Sequence, residues 1–146
     1  MADVSSTELK AAYDEVLADS NDTNWCLFKY EGKNKIVLSG KGSGGFAELA
    51  QEINQPSERL YAYLRVVSGD DESKRSKFVF ISWCGEEVGP LAKANVSVHK
   101  ASVKQVIKNI GVEVHYTVAD DLNEEELMTK VRKSSGADYS GNKSTN

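Results

Sequence analysis

Cysteine, proline and histidine are scarce in this chain of 146 residues, which contains two of each. Two cysteines, Cys26 and Cys84, are too few for the disulfide framework of a small secreted domain, so we expect buried thiols. No apolar run approaches the roughly 18 residues of a membrane-spanning helix, and the polar start MADVSSTELK lacks the apolar stretch of a secretory signal. The sequence therefore predicts a soluble, intracellular protein without a transmembrane segment.

Residues for catalysis or metal binding are equally sparse. Neither His99 nor His115 has a cysteine or histidine neighbour at metal-ligand spacing, and Cys26 and Cys84 form no C-x-x-C pair. We interpret the cysteines as core residues and the histidines as solvated, with His99 at the start of a helix and His115 on the polar face of a strand. We therefore predict a protein that is not an enzyme and needs neither a metal nor a cofactor.

The periodicity of apolar residues predicts secondary structure in the order α-β-β-α-β-β-α-β-α. The predicted helices cover 6–18, 46–53, 89–110 and 123–134, with a break near 95–97, and the predicted strands cover 25–30, 35–39, 59–67, 77–83 and 112–118. Ser5 or Ser6 is expected to cap the first helix. The pattern predicts an α+β fold with three layers, a mixed sheet of five to six strands between helices. We take residues 1–134 as one domain and 135–146 as a flexible polar tail.

A glycine motif lies between a predicted strand and a predicted helix. Gly40, Gly42 and Gly45 spell G-x-G-x-x-G, the spacing found in dinucleotide-binding sites. However, the preceding strand is expected to pair in a hairpin, the following helix is short, and the candidate acids Asp70 and Asp71 lie in a turn. We favour a mobile surface loop and keep a nucleotide-binding enzyme or regulator as the alternative.

The charge is distributed unevenly along the chain. The net charge is −4, yet residues 74–110 hold seven basic and two acidic residues, while the rest holds 11 basic and 20 acidic residues. Two basic clusters stand out: Lys74, Arg75 and Lys77 at the start of a strand, and Lys100, Lys104 and Lys108 at four-residue spacing on the third predicted helix.

The three helical lysines fall within about 80° of arc, and residues 88–112 contain no acid, so the lysines lack carboxylate partners on their own helix. Two basic clusters on an acidic protein favour a docking surface for an acidic partner. The acidic average argues against nucleic acid as that partner. We expect a monomer.

Six short motifs carry a resemblance to a known family. They are Ala11-Ala12-Tyr13, Phe28-Lys29-Tyr30, Ser73-Lys74-Arg75-Ser76-Lys77-Phe78, Trp83 with Gly85-Glu86, Val103-Lys104-Gln105-Val106, and Gly136-Ala137-Asp138-Tyr139. Over nearly the whole chain the sequence resembles the actin-depolymerising-factor homology (cofilin-like) family, and most closely its coactosin-like members.

This resemblance implies a central mixed sheet between helix pairs, no catalysis, and binding to actin filaments in the cytoplasm and the actin cytoskeleton. In the family the long helix wedges into a cleft of an actin subunit, and here that helix corresponds to residues 98–110, with Lys100 and Lys104 exposed and Lys108 following. The coactosin-type basic turn corresponds to Lys74, Arg75 and Lys77, among which Lys77 is the strongest candidate.

Coactosin-like members bind the sides of filaments and oppose capping, and we expect the same here. The basic surface also permits binding to acidic phospholipid head groups. Because Ser5 and Ser6 belong to the predicted helix cap, the resemblance does not imply the phosphorylation near the N-terminus that regulates cofilins.

Overall fold

Four helices and five strands follow one another in the predicted order, within the residues that a computed structural model describes, 2–68 and 75–137, with side chains up to 134. The elements are α1 (Thr7–Leu17), β1 (Trp25–Glu31), β2 (Lys35–Gly42), α2 (Gly45–Ile53), β3 (Arg59–Ser68), β4 (Arg75–Cys84), α3 (Pro90–Val103), β5 (Val112–Tyr116) and α4 (Glu124–Ala137), with a short 3-10 helix at Ala119–Asp121.

The strands form one mixed sheet in the order β2-β1-β3-β4-β5. All neighbours are antiparallel except β4 and β5, which are parallel and are joined by α3 as a crossover helix. The two strands that the sequence shows as apolar on both faces are β3 and β4, which lie inside the sheet and are covered from both sides. The predicted three-layer α+β fold with a mixed sheet is thereby confirmed.

Helices cover the sheet in two pairs, and the alternation of side chains along each strand gives each pair its own core. On what we call the α1/α3 side, the core includes Leu9, Val16, Phe28, Tyr61, Tyr63, Phe80, Val96 and Val103. On the α2/α4 side, it includes Trp25, Leu49, Leu60, Leu64, Val79, Ile81, Trp83, Leu127 and Val131. Free Cys26 and Cys84 are buried on the α1/α3 side, as predicted for core thiols.

The ends of two helices are stabilised by side chains from elsewhere in the fold. Arg65 on β3 donates hydrogen bonds of 2.7 Å to the carbonyl oxygens of Val16, Ala18 and Asn21, where α1 ends. A cation at the C-terminal end of a helix also interacts favourably with the helix dipole. Asn123 accepts a hydrogen bond from the amide of Glu126 at 3.0 Å and caps α4.

Ser6 occupies the N-cap position before α1, but its side chain forms no capping hydrogen bond with the helix. The predicted serine cap is therefore wrong. Helix α4 continues to Ala137, three residues beyond the predicted end at 134, and the tail from residue 138 onward lies outside the described residues.

The third helix differs most from its prediction. α3 is continuous through 95–97, without the predicted break, and it ends at Val103 rather than near 110. Residues 104–111 form a connection that begins with tight turns, in which the amides of Gln105 and Val106 donate to carbonyl oxygens three residues earlier. Ile107 is nonetheless fully buried, so the apolar spacing continues although the helix does not. We call residues 104–111 the α3–β5 connection.

Candidate functional site

One end of the sheet carries the first basic cluster. Strand β5 begins opposite Val79, so the preceding residues of β4 extend beyond it. Arg75 is exposed and Lys77 is partly exposed there, and both alternate with Val79 on the α2/α4 side. Lys74 lies outside the described residues.

Helix α3 returns along β4 and brings the second cluster to the same end from the α1/α3 side. The amide of Gly111 donates to the carbonyl oxygen of Phe78 at 2.8 Å, and Asn109 lines an open groove together with Arg75. Lys104 follows the last residue of α3, and Lys108 is exposed in the α3–β5 connection. The structure therefore brings together the four residues that we call the basic end, Arg75, Lys77, Lys104 and Lys108, with Lys100 one helical turn further back.

The α3–β5 connection is held in place by two tyrosine hydroxyls. The backbone amide of Asn109 donates to the hydroxyl of Tyr13 at 3.1 Å, and the hydroxyl of Tyr63 donates to the carbonyl oxygen of Asn109 at 2.5 Å. The two rings also contact each other, with centroids 5.1 Å apart. The two peptide groups of Asn109, the residue after Lys108, are thus fixed to the α1/α3 core.

Lys100 and Lys104 share one carboxylate, which the sequence does not place near them. Glu113 on β5 forms one ion pair with Lys100 at 3.0 Å and a second ion pair with Lys104. Burial alone would raise the pKa of Glu113, but the hydrogen bonds and charges of Lys104 and Lys100 outweigh burial and lower it. By contrast, Arg75, Lys77 and Lys108 form no ion pair with any carboxylate in 2–68 or 75–134.

An apolar row lies on the outward face of α3 and was not predicted from the sequence. Leu91 is 78% exposed and Val98 is 57% exposed, and the small residues Ala94 and Ala101 are exposed as well. These positions recur at intervals of three and four residues, so they form a single row along the helix. The same spacing is present in the sequence. The apolar residues Val96 and Val103 form a second row on this helix, and that row is the apolar face that the sequence predicts.

A third group of cations, absent from the predicted site, approaches the basic end from α4. Lys130, Arg132 and Lys133 are exposed on the last turns of this helix. The hydroxyl of Ser134 donates to the carbonyl oxygen of Gly111 at 3.3 Å, which places the end of α4 beside the α3–β5 connection. These residues lie outside the basic stretch 74–110, and only the packing of α4 against β5 brings them to this end.

His99 is buried rather than solvated, and it lies in the last turns of α3 rather than at its start. Its Nδ1 is 2.7 Å from the hydroxyl oxygen of Tyr30, which is 3.1 Å from the hydroxyl oxygen of Tyr61. Tyr61 donates its only proton to the carbonyl oxygen of Val96 at 2.8 Å. Tyr30 must then donate to Tyr61, so Nδ1 of His99 must carry the proton donated to Tyr30. Burial lowers the pKa of His99, which favours the neutral imidazole, and the hydrogen-bond chain then places its single proton on Nδ1.

His115 is exposed on β5, as predicted, and its Nδ1 is 2.7 Å from the hydroxyl of Ser82. Burial raises the pKa of the Cys26 thiol to about 12, so this cysteine is not an activated nucleophile. Within 2–68 and 75–134, no group of three or more acidic, cysteine and histidine side chains could hold a metal ion. None of the helices described here is long and apolar enough to cross a membrane.

The glycine motif has a structural explanation. Gly40 and Gly42 belong to β2, so the predicted surface loop is in part a strand. A Cβ atom on Gly42 would lie 2.8 Å from the ring of Trp25 and 2.2 Å from Oε1 of Glu48. That same oxygen accepts hydrogen bonds from Trp25 Nε1 at 2.8 Å and from the amide of Gly44 at 3.0 Å. Glu48 thus occupies the start of α2, where a nucleotide phosphate would have to bind.

Comparison with known proteins identifies relatives over almost the entire chain. Residues 1–132 match the family described as cofilin/tropomyosin-type actin-binding protein. Coactosin of Entamoeba histolytica is 41% identical over 143 residues, which cover 96% of each chain, and its crystal structure superimposes with a TM-score of 0.85 over 93% of this chain and 98% of the other. The solution structure of mouse coactosin, described as an actin filament binding protein, is 31% identical, with a TM-score of 0.75 over 98% and 99% of the two chains.

Proposed function

Because this chain belongs to the cofilin/tropomyosin-type family of actin-binding proteins, we propose that it binds the sides of actin filaments and opposes capping of their barbed ends. It acts as a binding module of the cytoplasmic actin cytoskeleton, not as an enzyme. Mouse coactosin, 31% identical over nearly the full length, is an actin filament binding protein, and this likeness supports the filament as the target.

The observation that carries the proposal is the apolar row on α3, which runs along the helix toward the basic end. Leu91 and Val98 are the most exposed large apolar side chains of this helix. Isolated exposed apolar residues are ordinary, but a row along one helix face is typical of a helix that inserts into an apolar groove of a partner. The row provides the apolar contact with actin, and the adjacent cations provide attraction to acidic residues around it.

We assign the ionic contacts to the predicted residues Lys74, Arg75, Lys77, Lys100, Lys104 and Lys108. Among those with described side chains, Arg75, Lys77 and Lys108 have no carboxylate partner in the described ranges, so they can pair with actin without breaking an internal ion pair. Exposed charges are screened beyond about 8–10 Å at physiological ionic strength, and hence the affinity should fall as salt is added. Lys77 remains the strongest single candidate.

Co-sedimentation with actin filaments tests the binding. The wild-type protein should pellet with filaments at low salt, and Val98→Asp and Lys77→Ala should each reduce the pelleted fraction, while both variants keep the wild-type circular dichroism spectrum. Lys33→Ala is the matched control because Lys33 is an exposed cation in the β1–β2 turn, at the opposite end of the sheet. Failure of the wild-type protein to pellet at low salt would refute the proposal.

Opposition to capping needs a separate assay. Filaments elongating from seeds in the presence of capping protein should grow for longer when the wild-type protein is added, and Lys77→Ala should lose most of this effect. If filament growth stops equally early with and without the protein, the anti-capping role is wrong, even where co-sedimentation shows side binding.

Acidic phospholipid head groups are the second candidate ligand, since the same unpaired cations would attract phosphates. The apolar row of α3 favours actin, because a head group offers no apolar groove for Leu91 and Val98. Flotation with vesicles that contain a phosphorylated phosphatidylinositol distinguishes the two ligands. Binding to vesicles that Lys77→Ala abolishes and Val98→Asp leaves intact would support a lipid site at the basic end.

A further inference from the structure

The carboxylate of Glu113 occupies the position between two lysines that the resemblance assigns to actin binding. Lys100 and Lys104 lie four residues apart, so without a counterion their charges would repel each other. Glu113 approaches both from the neighbouring strand β5, with one oxygen on each ammonium group. Three charges therefore form one cluster, in which one of the two positive charges is neutralised.

This cluster is more than a loose surface pair. The side chains of Lys100 and Glu113 are 22% and 33% exposed, and that of Lys104 is 40% exposed. Partial burial weakens screening by solvent, so such pairs interact more strongly than fully exposed ones. The ammonium group of Lys104 also lies 6.0 Å from the ring centre of Phe80, beneath α3. An acidic residue of a partner must compete with Glu113 for these lysines or share them with it.

We propose that Glu113 is an internal competitor that limits the affinity of the α3 end for actin, an inference that rests on the proposed function. The carboxylate cancels one positive charge of the cluster and holds both ammonium groups toward the sheet. It follows that the unpaired cations Arg75, Lys77 and Lys108 dominate the ionic contribution to binding, and that Lys100 and Lys104 contribute less than their charge alone would predict.

The opposite role is also physically possible, and the two roles predict opposite results. If Glu113 served only to hold the lysines in a binding-competent position, its removal would disorder them and weaken binding. If Glu113 competes with actin, its removal adds one net positive charge next to the apolar row and strengthens binding. Glu113→Gln separates these cases, because glutamine keeps the size of the side chain and a hydrogen-bond acceptor but loses the charge.

The experiment compares filament co-sedimentation of the wild-type protein, Glu113→Gln and Glu31→Gln over a series of salt concentrations. Glu31 is the matched control because it also pairs with a lysine, Lys35 at 3.4 Å, but lies at the opposite end of the sheet. We expect Glu113→Gln to bind roughly threefold to tenfold more tightly at low salt, as for about 1 kcal/mol of ionic interaction. The gain should shrink as salt is added, and Glu31→Gln should bind like the wild-type protein.

Glu113→Asp is a second variant, for the case that the side-chain amide introduced by Glu113→Gln perturbs folding. Its shorter side chain keeps the charge but cannot reach both lysines, so its affinity should lie between those of the wild-type protein and Glu113→Gln. Equal or weaker binding by both variants, with wild-type binding intact, would overturn the competitor role and leave the proposed function standing. If the wild-type protein itself does not pellet at low salt, the proposed function fails, and the inference fails with it.

Discussion

The two sides of the sheet differ in how they hold their helices. On the α1/α3 side, hydroxyls and an imidazole enter the core: Tyr61 bonds to Val96 of α3, Tyr63 bonds to Asn109, and His99 of α3 bonds to Tyr30. On the α2/α4 side, the core is aliphatic and aromatic. There the two tryptophans form hydrogen bonds to Glu48 and to the carbonyl oxygen of Gln55, in partly buried positions.

This difference follows the position of the candidate site. Apolar contacts are not directional, so a helix held by them alone can tolerate small shifts, whereas a buried hydrogen bond is lost when its partners move. Helix α3 and the α3–β5 connection carry the apolar row and most of the predicted lysines, and they are the segments fixed by buried hydroxyls. We infer that the α2/α4 side mainly supplies stability, and that the α1/α3 side also sets the geometry of the actin-binding surface.

The largest effect on the free energy of unfolding is expected from a substitution that creates a cavity on the α2/α4 side. Leu49 of α2 is fully buried there, so Leu49→Ala should lower the free energy of unfolding by about 2–5 kcal/mol. Filament affinity of the folded protein should stay at the wild-type value, because α2 packs mainly against β1, β2 and β3, whereas the basic end lies on β4 and the α3–β5 connection. Urea denaturation and co-sedimentation check the two statements, and a large loss of affinity in fully folded Leu49→Ala would break the division between the two sides.

A smaller loss of stability, now with an effect on binding, is expected for Tyr61→Phe. The change leaves the buried carbonyl oxygen of Val96 without its donor and the hydroxyl of Tyr30 without the oxygen to which it donates, which costs about 1–3 kcal/mol. Filament affinity should also fall because α3 loses a fixed contact.

Tyr116→Phe is the control for Tyr61→Phe, since Tyr116 is buried on the α2/α4 side and its hydroxyl forms no hydrogen bond with a residue in the described ranges. Its unfolding free energy and affinity should be close to wild type. Equal losses of affinity in the two tyrosine variants would contradict the proposed role of the α1/α3 side.

Tyr63→Phe should cost less in stability, about 0.5–1.5 kcal/mol, because it removes one hydrogen bond in a partly buried place. The change in the free energy of filament binding should exceed the change in the free energy of unfolding. The reason is that the carbonyl oxygen of Asn109 loses the bond that fixes the segment beside Lys108. Co-sedimentation of Tyr63→Phe and of Lys108→Ala measures this. If Tyr63→Phe binds like the wild-type protein while Lys108→Ala binds weakly, the hydroxyl is not needed to position the lysine.

Much of the fold could be predicted from local patterns in the sequence. The strict alternation at 112–118 predicted β5, and the doubly apolar runs predicted that β3 and β4 lie inside the sheet. The unequal charge of residues 74–110 predicted two basic clusters, and the packing of α3 along β4 brings parts of both to one end. These features depend on spacing along the chain, which the sequence records directly.

The remaining features depend on contacts between distant residues. Helix α3 ends at Val103 because the α3–β5 connection forms hydrogen bonds with Tyr13, Tyr63 and Phe78. No residue near position 103 indicates this helix end in the sequence. Glu113 is nine residues from Lys104 and on a different element, so helical spacing could not reveal the ion pair. His99 was predicted to be solvated because its hydrogen-bond partner, Tyr30, comes from a strand far away in the chain.

Mild acid should destabilise the α1/α3 side, with the smallest effect of this series. Burial lowers the pKa of both His99 and His115, which face this side, below the ordinary value near 6.5. As the pH falls below about 6.5, these histidines take up protons in the unfolded chain but not yet in the folded protein. The free energy of unfolding therefore decreases between about pH 6.5 and the lowered pKa values, and above that range it does not depend on these two groups. The lowered pKa of Glu113 acts only in a more acidic range. Urea midpoints between pH 7.5 and 5.5 should decrease, and His99→Gln should show a shallower decrease; an identical slope in wild type and His99→Gln would mean that the buried imidazole is not the group that titrates.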